Sequence, residues 1–283
     1  MDAEYKKARE TLIDCLEALQ NHLESVVIVG AQAIYLQVPQ RKRGPQQFTS
    51  DADVAVIPDK LGGPPAIADA LEAKGFVPDP AKVGTWSKNG VGLDVMVPDA
   101  LGGPGRRGAR LPLPHGKRVA RKAMGLEGII ADRRTVMVES LDGSRRIEAN
   151  VAGPAALIVS KMHKIEERLA VRPDQLSNKD AHDVWRLLDH TPTEELADRF
   201  ERLLASDIAA KPTKQALRAL HAHFIEPTGH GRKMIIAAEA QSQQGEEIGA
   251  QCARRVQELL LEMSQRSEKH KQKIPGPGHS HGV

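Results

Sequence analysis

Val26-Val27-Ile28-Val29-Gly30-Ala31-Gln32-Ala33-Ile34-Tyr35-Leu36 reads as a short apolar strand, a glycine, and then a short helix that Pro39 stops. Upstream, Leu12, Leu16, Leu19 and Leu23 recur at helical spacing, which predicts an amphipathic helix over the first two dozen residues. Downstream, Pro39 to Phe48 is a polar loop carrying Arg41, Lys42 and Arg43, and Asp51 to Ile57 returns to a strand bounded by Pro58. Ala66 to Lys74 predicts a helix and Gly92 to Val97 another strand. Strands alternating with helices in this way predict an α/β (α+β) arrangement, a mixed sheet with helices against it.

From Ala100 to Leu126 no residue is acidic, while Arg106, Arg107, Arg110, Lys117, Arg118, Arg121 and Lys122 fall among glycines and prolines. The expectation there is a basic, irregular insertion. Thr135 to Ser140 and Arg146 to Val151 are β-type runs joined through Leu141-Asp142-Gly143-Ser144, where Asp-Gly signals a hairpin. Gly153-Pro154 then opens a helix with proline in its first turn. The pattern stays helical to about Lys271, with loops expected near Pro173, Pro192, Pro212 and Pro227. These signals divide the chain into a sheet domain over 1–152, an all-helical domain over 153–271 and a disordered tail over 272–283. His279 and His281 in that tail make at most a weak adventitious metal site.

With 283 residues, 40% hydrophobic and 27% charged, the composition is that of a globular protein able to bury a substantial core. Aromatic residues are only 3%, which excludes extensive base-stacking surfaces. Lys plus Arg number 40 against 37 Asp plus Glu, a net charge of +3, so any affinity for nucleic acid depends on where the positive charge sits. Cys15 and Cys252 lack CxxC spacing, which excludes a disulfide framework and a thiolate zinc site. No apolar run approaches the roughly 18 residues of a spanning helix, and Met1-Asp2-Ala3-Glu4 opens an acidic amphipathic segment. The expectation is a cytoplasmic protein without a membrane partner.

Strand alternation in Thr49-Ser50-Asp51-Ala52-Asp53-Val54-Ala55-Val56 puts Asp51 and Asp53 on one face and Ala52, Val54 and Val56 on the other. The two acids are then roughly 7 Å apart at their backbones. Hard oxygen ligands so placed suit Mg²⁺ bound together with nucleotide phosphates. In Leu93-Asp94-Val95-Met96-Val97 the same alternation isolates Asp94, which would bridge a metal or take a proton from an attacking hydroxyl if the two strands are neighbours. The alternative is a solvated strand edge with its acids facing water. Gly30-Ala31 adds a strand-to-helix junction whose N–H groups can receive phosphate.

Gly30-Ala31, then Thr49-Ser50-Asp51-Ala52-Asp53, then Asp94, resembles the glycine turn, DxD and strand acid of polymerase-β-like nucleotidyltransferases. Lys161 in Val159-Ser160-Lys161-Met162-His163-Lys164, with Lys179-Asp180-Ala181-His182-Asp183, is similar to the paired helix motifs of the AbiEii branch. That branch includes toxins of bacterial toxin–antitoxin systems and the MenT-type toxins. The resemblance spans about Val26 to Leu188. It implies that Asp51, Asp53 and Asp94 bind Mg²⁺ or Mn²⁺, and that Gly30, with Ala31, Thr49 and Ser50 beside it, holds the phosphates of an NTP. It further implies that Lys161 and Asp183 complete the site. Two positions depart from the pattern: the small hydroxyl that often follows the glycine is Ala31, and the Arg commonly found two residues before the motif Thr is Gln47.

Lys161 falls inside an apolar stripe of Leu157, Ile158, Met162, Ile165 and Leu169. It is either a phosphate-binding lysine, a snorkelling side chain, or half of an interdomain ion pair with Asp180 or Asp183. His163 and His182 read as core or surface histidines. The basic segment is either a track for an RNA backbone or a solvated loop. The resemblance implies transfer of a nucleoside monophosphate from an NTP to a tRNA 3′ end by a toxin with a cognate antitoxin. Transfer to a protein or small-molecule hydroxyl, or a catalytically silent binding module, are the alternatives.

Overall fold

The computed structural model describes residues 3–38, 49–240 and 244–273. Helix α1 (Ala3–Ala18) buries Leu12, Ile13, Cys15 and Leu16, and a 3₁₀ turn at Gln20–His22 leads into β1 (Val26–Ile28). All three residues of β1 are buried, which accounts for an apolar run without alternation. Helix α2 (Gly30–Gln37) follows at once and ends where Val38 turns extended, as a residue before proline prefers. The loop expected over Pro39 to Phe48, with Arg41, Lys42, Arg43 and Gln47, lies outside the described residues.

Seven further strands and one α-helix complete the sheet region: β2 (Asp51–Val56), α3 (Ile67–Ala73), β3 (Val77–Pro78), β4 (Thr85–Lys88), β5 (Val91–Pro98), β6 (Arg121–Ala123), β7 (Arg133–Glu139) and β8 (Arg146–Ala152). Their order is β3-β4-β5-β2-β1-β8-β7, with β6 also paired to β5. The sheet is mixed: β1 runs antiparallel to β2 and parallel to β8, and β2 runs parallel to β5. The hairpin β7–β8 pairs over its whole length through the Asp142-Gly143 turn. Strands β3 and β4 have no counterpart in the apolar pattern, because Val77-Pro78 is too short and Thr85-Trp86-Ser87-Lys88 contains one apolar side chain.

Residues 102–120 are irregular as expected, apart from an isolated bridge at Gly108, but they are held by backbone hydrogen bonds. The Ala109 amide donates to the Ala120 carbonyl at 3.0 Å and the Lys122 amide to the Arg107 carbonyl at 2.8 Å, so the two arms lie side by side. Buried His115 pins the tip, accepting from the Ile67 amide at 3.3 Å through Nδ1 and donating through Nε2 to the Gly62 carbonyl at 2.7 Å. The returning arm becomes β6, parallel to β5 with Arg121 opposite Met96. Backbone hydrogen bonds, rather than side-chain alternation, define this excursion.

Six α-helices and two short turns follow among the described residues: α4 (Pro154–Val171), a 3₁₀ turn at Pro173–Gln175, α5 (Asn178–His190), α6 (Thr193–Ala205), α7 (Ala210–Leu220), a π-turn at His221–Ile225, α8 (His230–Ala238) and α9 (Gly245–Lys273). The loop expected near Pro212 falls at 206–209, between α6 and α7, and Pro212 itself is helical. It sits in the first turn of α7, where its missing N–H has no intrahelical partner to lose. The helical pattern extends through Lys273, and the tail with His279 and His281 lies outside the described residues. One apolar core is continuous from Leu12 and Ile34 to Ile158, Phe200 and Phe224. Cys15 and Cys252 are buried free thiols. Among the described residues no helix is long and apolar enough to cross a membrane.

Asp132, just before β7, joins the sheet to the helices. Its Oδ2 accepts from the Ala156 amide in the first turn of α4 at 2.9 Å, and Arg199 of α6 donates to Oδ1 at 2.6 Å. A Cβ at residue 153 would lie 2.0 Å from Asp132 Oδ1, so only glycine admits this cap. Asp132→Ala is expected to lower unfolding free energy by about 1–3 kcal/mol, since it orphans a buried amide and leaves Arg199 with Glu195 alone. Urea denaturation checks this, and a midpoint unchanged from wild type would contradict the capping role.

Candidate active site

The strand register gathers the three acids. Asp53 on β2 lies opposite Asp94 on β5, and Thr85 on β4 lies opposite Asp94 from the other side. Asp51 stands two residues before Asp53, exposed at the start of β2, and accepts the Thr49 hydroxyl. Ser50 between them is exposed. Asp53 is half-buried and lies directly over Gly30: a Cβ at residue 30 would come 2.1 Å from Asp53 Oδ2. Gly30 also has φ +64°, so glycine is required there for space and for conformation. The Val29 amide donates to the Asp53 carbonyl at 3.1 Å and closes the contact. Asp53 therefore stands at the N-terminus of α2, beside the buried Ala31.

Burial, and then the neighbouring charges of Asp51 and Asp94, push the Asp53 carboxyl up to about 7; Lys164 and Arg121 offset part of the rise. Asp94 accepts the Thr85 hydroxyl at 2.9 Å through Oδ1 and Arg121 Nη2 at 2.9 Å through Oδ2. Arg121 is thus a member of the acid cluster rather than of an exposed basic track.

Lys164 on α4 and Lys179 on α5 supply the other cations; both lie in the quoted motif stretches, but the resemblance gave neither a role. Burial lowers the Lys164 ammonium, as does Lys161, while Asp180 and Asp53 act to raise it. Burial likewise lowers Lys179, with Asp183 and Asp51 among the acids acting against it. Lys179 also stands 5.8 Å from the Tyr35 ring centroid, over a residue of α2. A signal for both existed: Lys164 is one helical turn beyond Lys161, and Lys179 directly precedes Asp180.

Lys161 and Asp183 stand in a buried ion cluster. Lys161 Nζ donates to Asp180 Oδ1 at 2.7 Å and Asp183 Oδ2 at 2.8 Å, while Arg186 donates to Asp183 at 2.8 Å and Arg168 to Asp180. Lys161 is 5% exposed and Asp183 0%. Burial works against the Lys161 charge, and Asp180 and Asp183 overcome it, holding the ammonium above its ordinary range. Burial opposes the Asp183 charge too, and Lys161 and Arg186 hold that carboxyl below its ordinary value. The pair joins α4 to α5, inside the helical segment, so the alternative of a bridge between the two halves of the chain gives way to an interhelix pair. His163 and His182 bond to the Pro212 carbonyl and to Glu239 and stay clear of the acids.

In the basic excursion Arg106, Arg107, Arg110 and Lys117 are exposed, with no ion pair among the described residues. Arg118 is exposed and donates to the Pro80 carbonyl at 2.9 Å, while Lys122 Nζ lies 3.5 Å from Asp99. Among the described residues no group of three or more His, Cys, Asp or Glu side chains is assembled as a metal cage.

The Asp53 carboxyl carries a stability signature with a definite sign. Its value rises from 3.8 to about 7 on folding, so its contribution is favourable while protonated and is lost as pH rises from about 4 to 7. Asp53→Asn is expected to raise the melting temperature of metal-free protein at pH 8, and the gain should vanish near pH 4. Equal melting curves at pH 8 would contradict the burial of this acid.

Compared with known proteins, the chain matches no protein-family model and no curated protein.

Proposed function

We propose that the chain is a metal-dependent nucleotidyltransferase with the polymerase-β-like fold, of the AbiEii and MenT type, whose sheet segment (1–152) and helical segment (153–271) are two functional units. It moves a nucleoside monophosphate from an NTP to an acceptor hydroxyl, the favoured acceptor being a tRNA 3′ end and the setting a toxin with a cognate antitoxin. The supporting observation is Asp53 held over Gly30 at the start of α2 with Asp94 in register on the next strand. A solvated strand edge has no need of such a contact.

The donor set fits a hard divalent cation, Mg²⁺ or Mn²⁺. Asp51 and Asp53 offer carboxylate oxygens, and burial first, then the charges of Asp51 and Asp94, disfavour the Asp53 carboxylate, a cost that a bound cation would offset. Asp51 and Asp53 would hold the ion, with Asp94 alongside, and when bound it neutralises phosphate charge. Thr49 keeps Asp51 oriented, and Ser50 adds an exposed hydroxyl beside it. The amides of Gly30 and Ala31 receive phosphate oxygens, Ala31 through its backbone alone.

Lys164, 3.4 Å from Asp180 at the edge of the ion cluster, and Lys179 lie within electrostatic range of Asp53 and Asp51, and they would counter the triphosphate charge, the role the resemblance gave to Lys161. Lys161 and Asp183 act one step back, fixing α4 against α5 so that those lysines point the right way. As the acceptor oxygen bonds to the α-phosphorus, the α–β bridging bond breaks and pyrophosphate leaves. Asp94 takes the hydroxyl proton. Arg106, Arg107, Arg110, Lys117, Arg118 and Lys122 would follow an RNA backbone, and with few aromatics available contact runs through phosphates rather than bases.

Incubation with each α-labelled NTP, Mg²⁺ and total cellular RNA or protein tests the reading. Labelled RNA is expected from wild type and none from folded Asp53→Ala; no labelled product with any NTP would overturn the enzyme, and label on protein alone would change the acceptor. Charge reversal of Arg106, Arg107 and Arg110 together is expected to cut transfer to RNA about tenfold or more at physiological salt.

The lysine roles separate by a second measurement. Lys161→Ala is expected to cost about 3–5 kcal/mol of stability, because it leaves two carboxylates buried without their shared cation. Lys164→Ala is expected to keep the wild-type melting temperature and to raise the KM for NTP about tenfold. A Lys161→Ala protein as stable as wild type would return Lys161 to the nucleotide.

A further inference from the structure

Strands β4 and β6 share one edge of β5, β4 pairing with Val91 to Asp94 and β6 with Met96 to Pro98. Gly84 lies where they meet. With φ +75° and no side chain, it lets the Arg121 backbone approach so closely that a Cβ at residue 84 would sit 2.3 Å from the Arg121 nitrogen. The Gly108–Arg121 bridge and the amide of Lys122 on the Arg107 carbonyl hold β6 from its other side. The Arg121 backbone is therefore fixed beside Asp94, and the side chain is the part free to choose a partner.

That choice is only partly committed. A single contact, Nη2 to Asp94 Oδ2 at 2.9 Å, joins side chains that are 37% and 30% exposed. A guanidinium has five N–H donors, and a bidentate fork would use two of them on one carboxylate. A one-donor, half-exposed ion pair is weak and readily exchanged. Thr85 meanwhile keeps the other Asp94 oxygen in place, so the acid need not move when the arginine leaves.

Building on the nucleotidyltransferase reading, we propose that Arg121 is a placeholder cation: it neutralises Asp94 while the site lacks nucleotide and passes to the phosphates when a metal–nucleoside triphosphate complex binds. Arg121 thus competes with a bare divalent cation for Asp94 and cooperates with a triphosphate. Removing it has opposite effects on the two ligands, which a purely structural arginine does not.

The test uses full-length protein, Mn²⁺ alone followed by paramagnetic resonance of the free ion, and each Mg²⁺–NTP followed by calorimetry. Arg121→Gln is expected to bind Mn²⁺ about threefold or more tighter and the preferred Mg²⁺–NTP about tenfold or more weaker. Asp94→Asn, which frees the guanidinium, is expected to gain measurable NTP binding in EDTA relative to wild type. If Arg121→Gln shifts both affinities in the same direction, or neither, the placeholder role is overturned while the nucleotidyltransferase reading stands. If Arg121→Gln fails to fold, Asp94→Asn decides, and no gain in EDTA overturns the role. Wild type that binds neither Mn²⁺ nor any NTP overturns the underlying reading and this role with it.

Discussion

The contact on which the site depends is the one between Asp53 and the bare Cα of Gly30. It couples three things that are otherwise independent: the antiparallel pairing of β1 with β2, the left-handed turn at residue 30, and the direction in which α2 leaves the sheet. Any side chain at 30 would displace the carboxylate, the turn or both. The same contact has an electrostatic cost, since it gathers Asp53 with Asp51 and Asp94 in a half-buried position where burial already disfavours charge. Cations must then come from elsewhere in the chain. They do: Arg121 arrives from β6, Lys164 from α4 and Lys179 from α5, three elements distant in sequence from the acids.

The buried cluster of Lys161, Asp180, Asp183, Arg168 and Arg186 explains how two of those cations are aimed. Buried ion pairs seldom stabilise a fold more than apolar residues of the same size, because desolvation consumes most of the attraction. What they impose is register, since each charge needs its partners at hydrogen-bond distance and a slip of one residue strands it. Lys161 and Asp183 fix α4 to α5 in this way, and Lys164 and Lys179 inherit their positions one turn from Lys161 and one residue from Asp180. Lys161 is wholly engaged in the cluster, whereas Lys164 stands 3.4 Å from Asp180 at its edge and also feels the charge of Asp53.

This division explains which parts were legible in the sequence. Asp51, Asp53 and Asp94 stand out because a strand's period of two isolates a polar residue among buried ones, and Gly30 stands out because it separates a buried strand from a helix. The long helices and the β7–β8 hairpin were legible for the same reason, strong periodicity closed by recognisable turns. Strands β3, β4 and β6 were not. Arg121-Lys122-Ala123 has no alternation to detect, and its strand character comes from backbone bonds to β5 and to the opposite arm of the excursion. Asp132 was missed on similar grounds, because a capping acid 24 residues before the amide it caps leaves no local motif.

The balance of charge also takes on a different meaning. A net +3 is too small to attract a polyanion over distances longer than the Debye length of about 8 Å, so affinity for nucleic acid would have to be local. The structure divides the basic segment into two groups. Arg121 is taken up by the acids and Lys122 stands near Asp99, whereas Arg106, Arg107, Arg110 and Lys117 remain exposed on the excursion whose returning arm ends at Arg121. Under the proposed reaction the excursion therefore has one end in solvent, carrying charge suited to phosphates, and the other against the acids. Contacts of the first kind are indifferent to sequence. Selection of an acceptor then falls to the end nearest Asp94, where a hydroxyl must share space with Thr85, Arg121 and the nucleotide, and a free 3′ terminus fits that requirement where the interior of a strand does not.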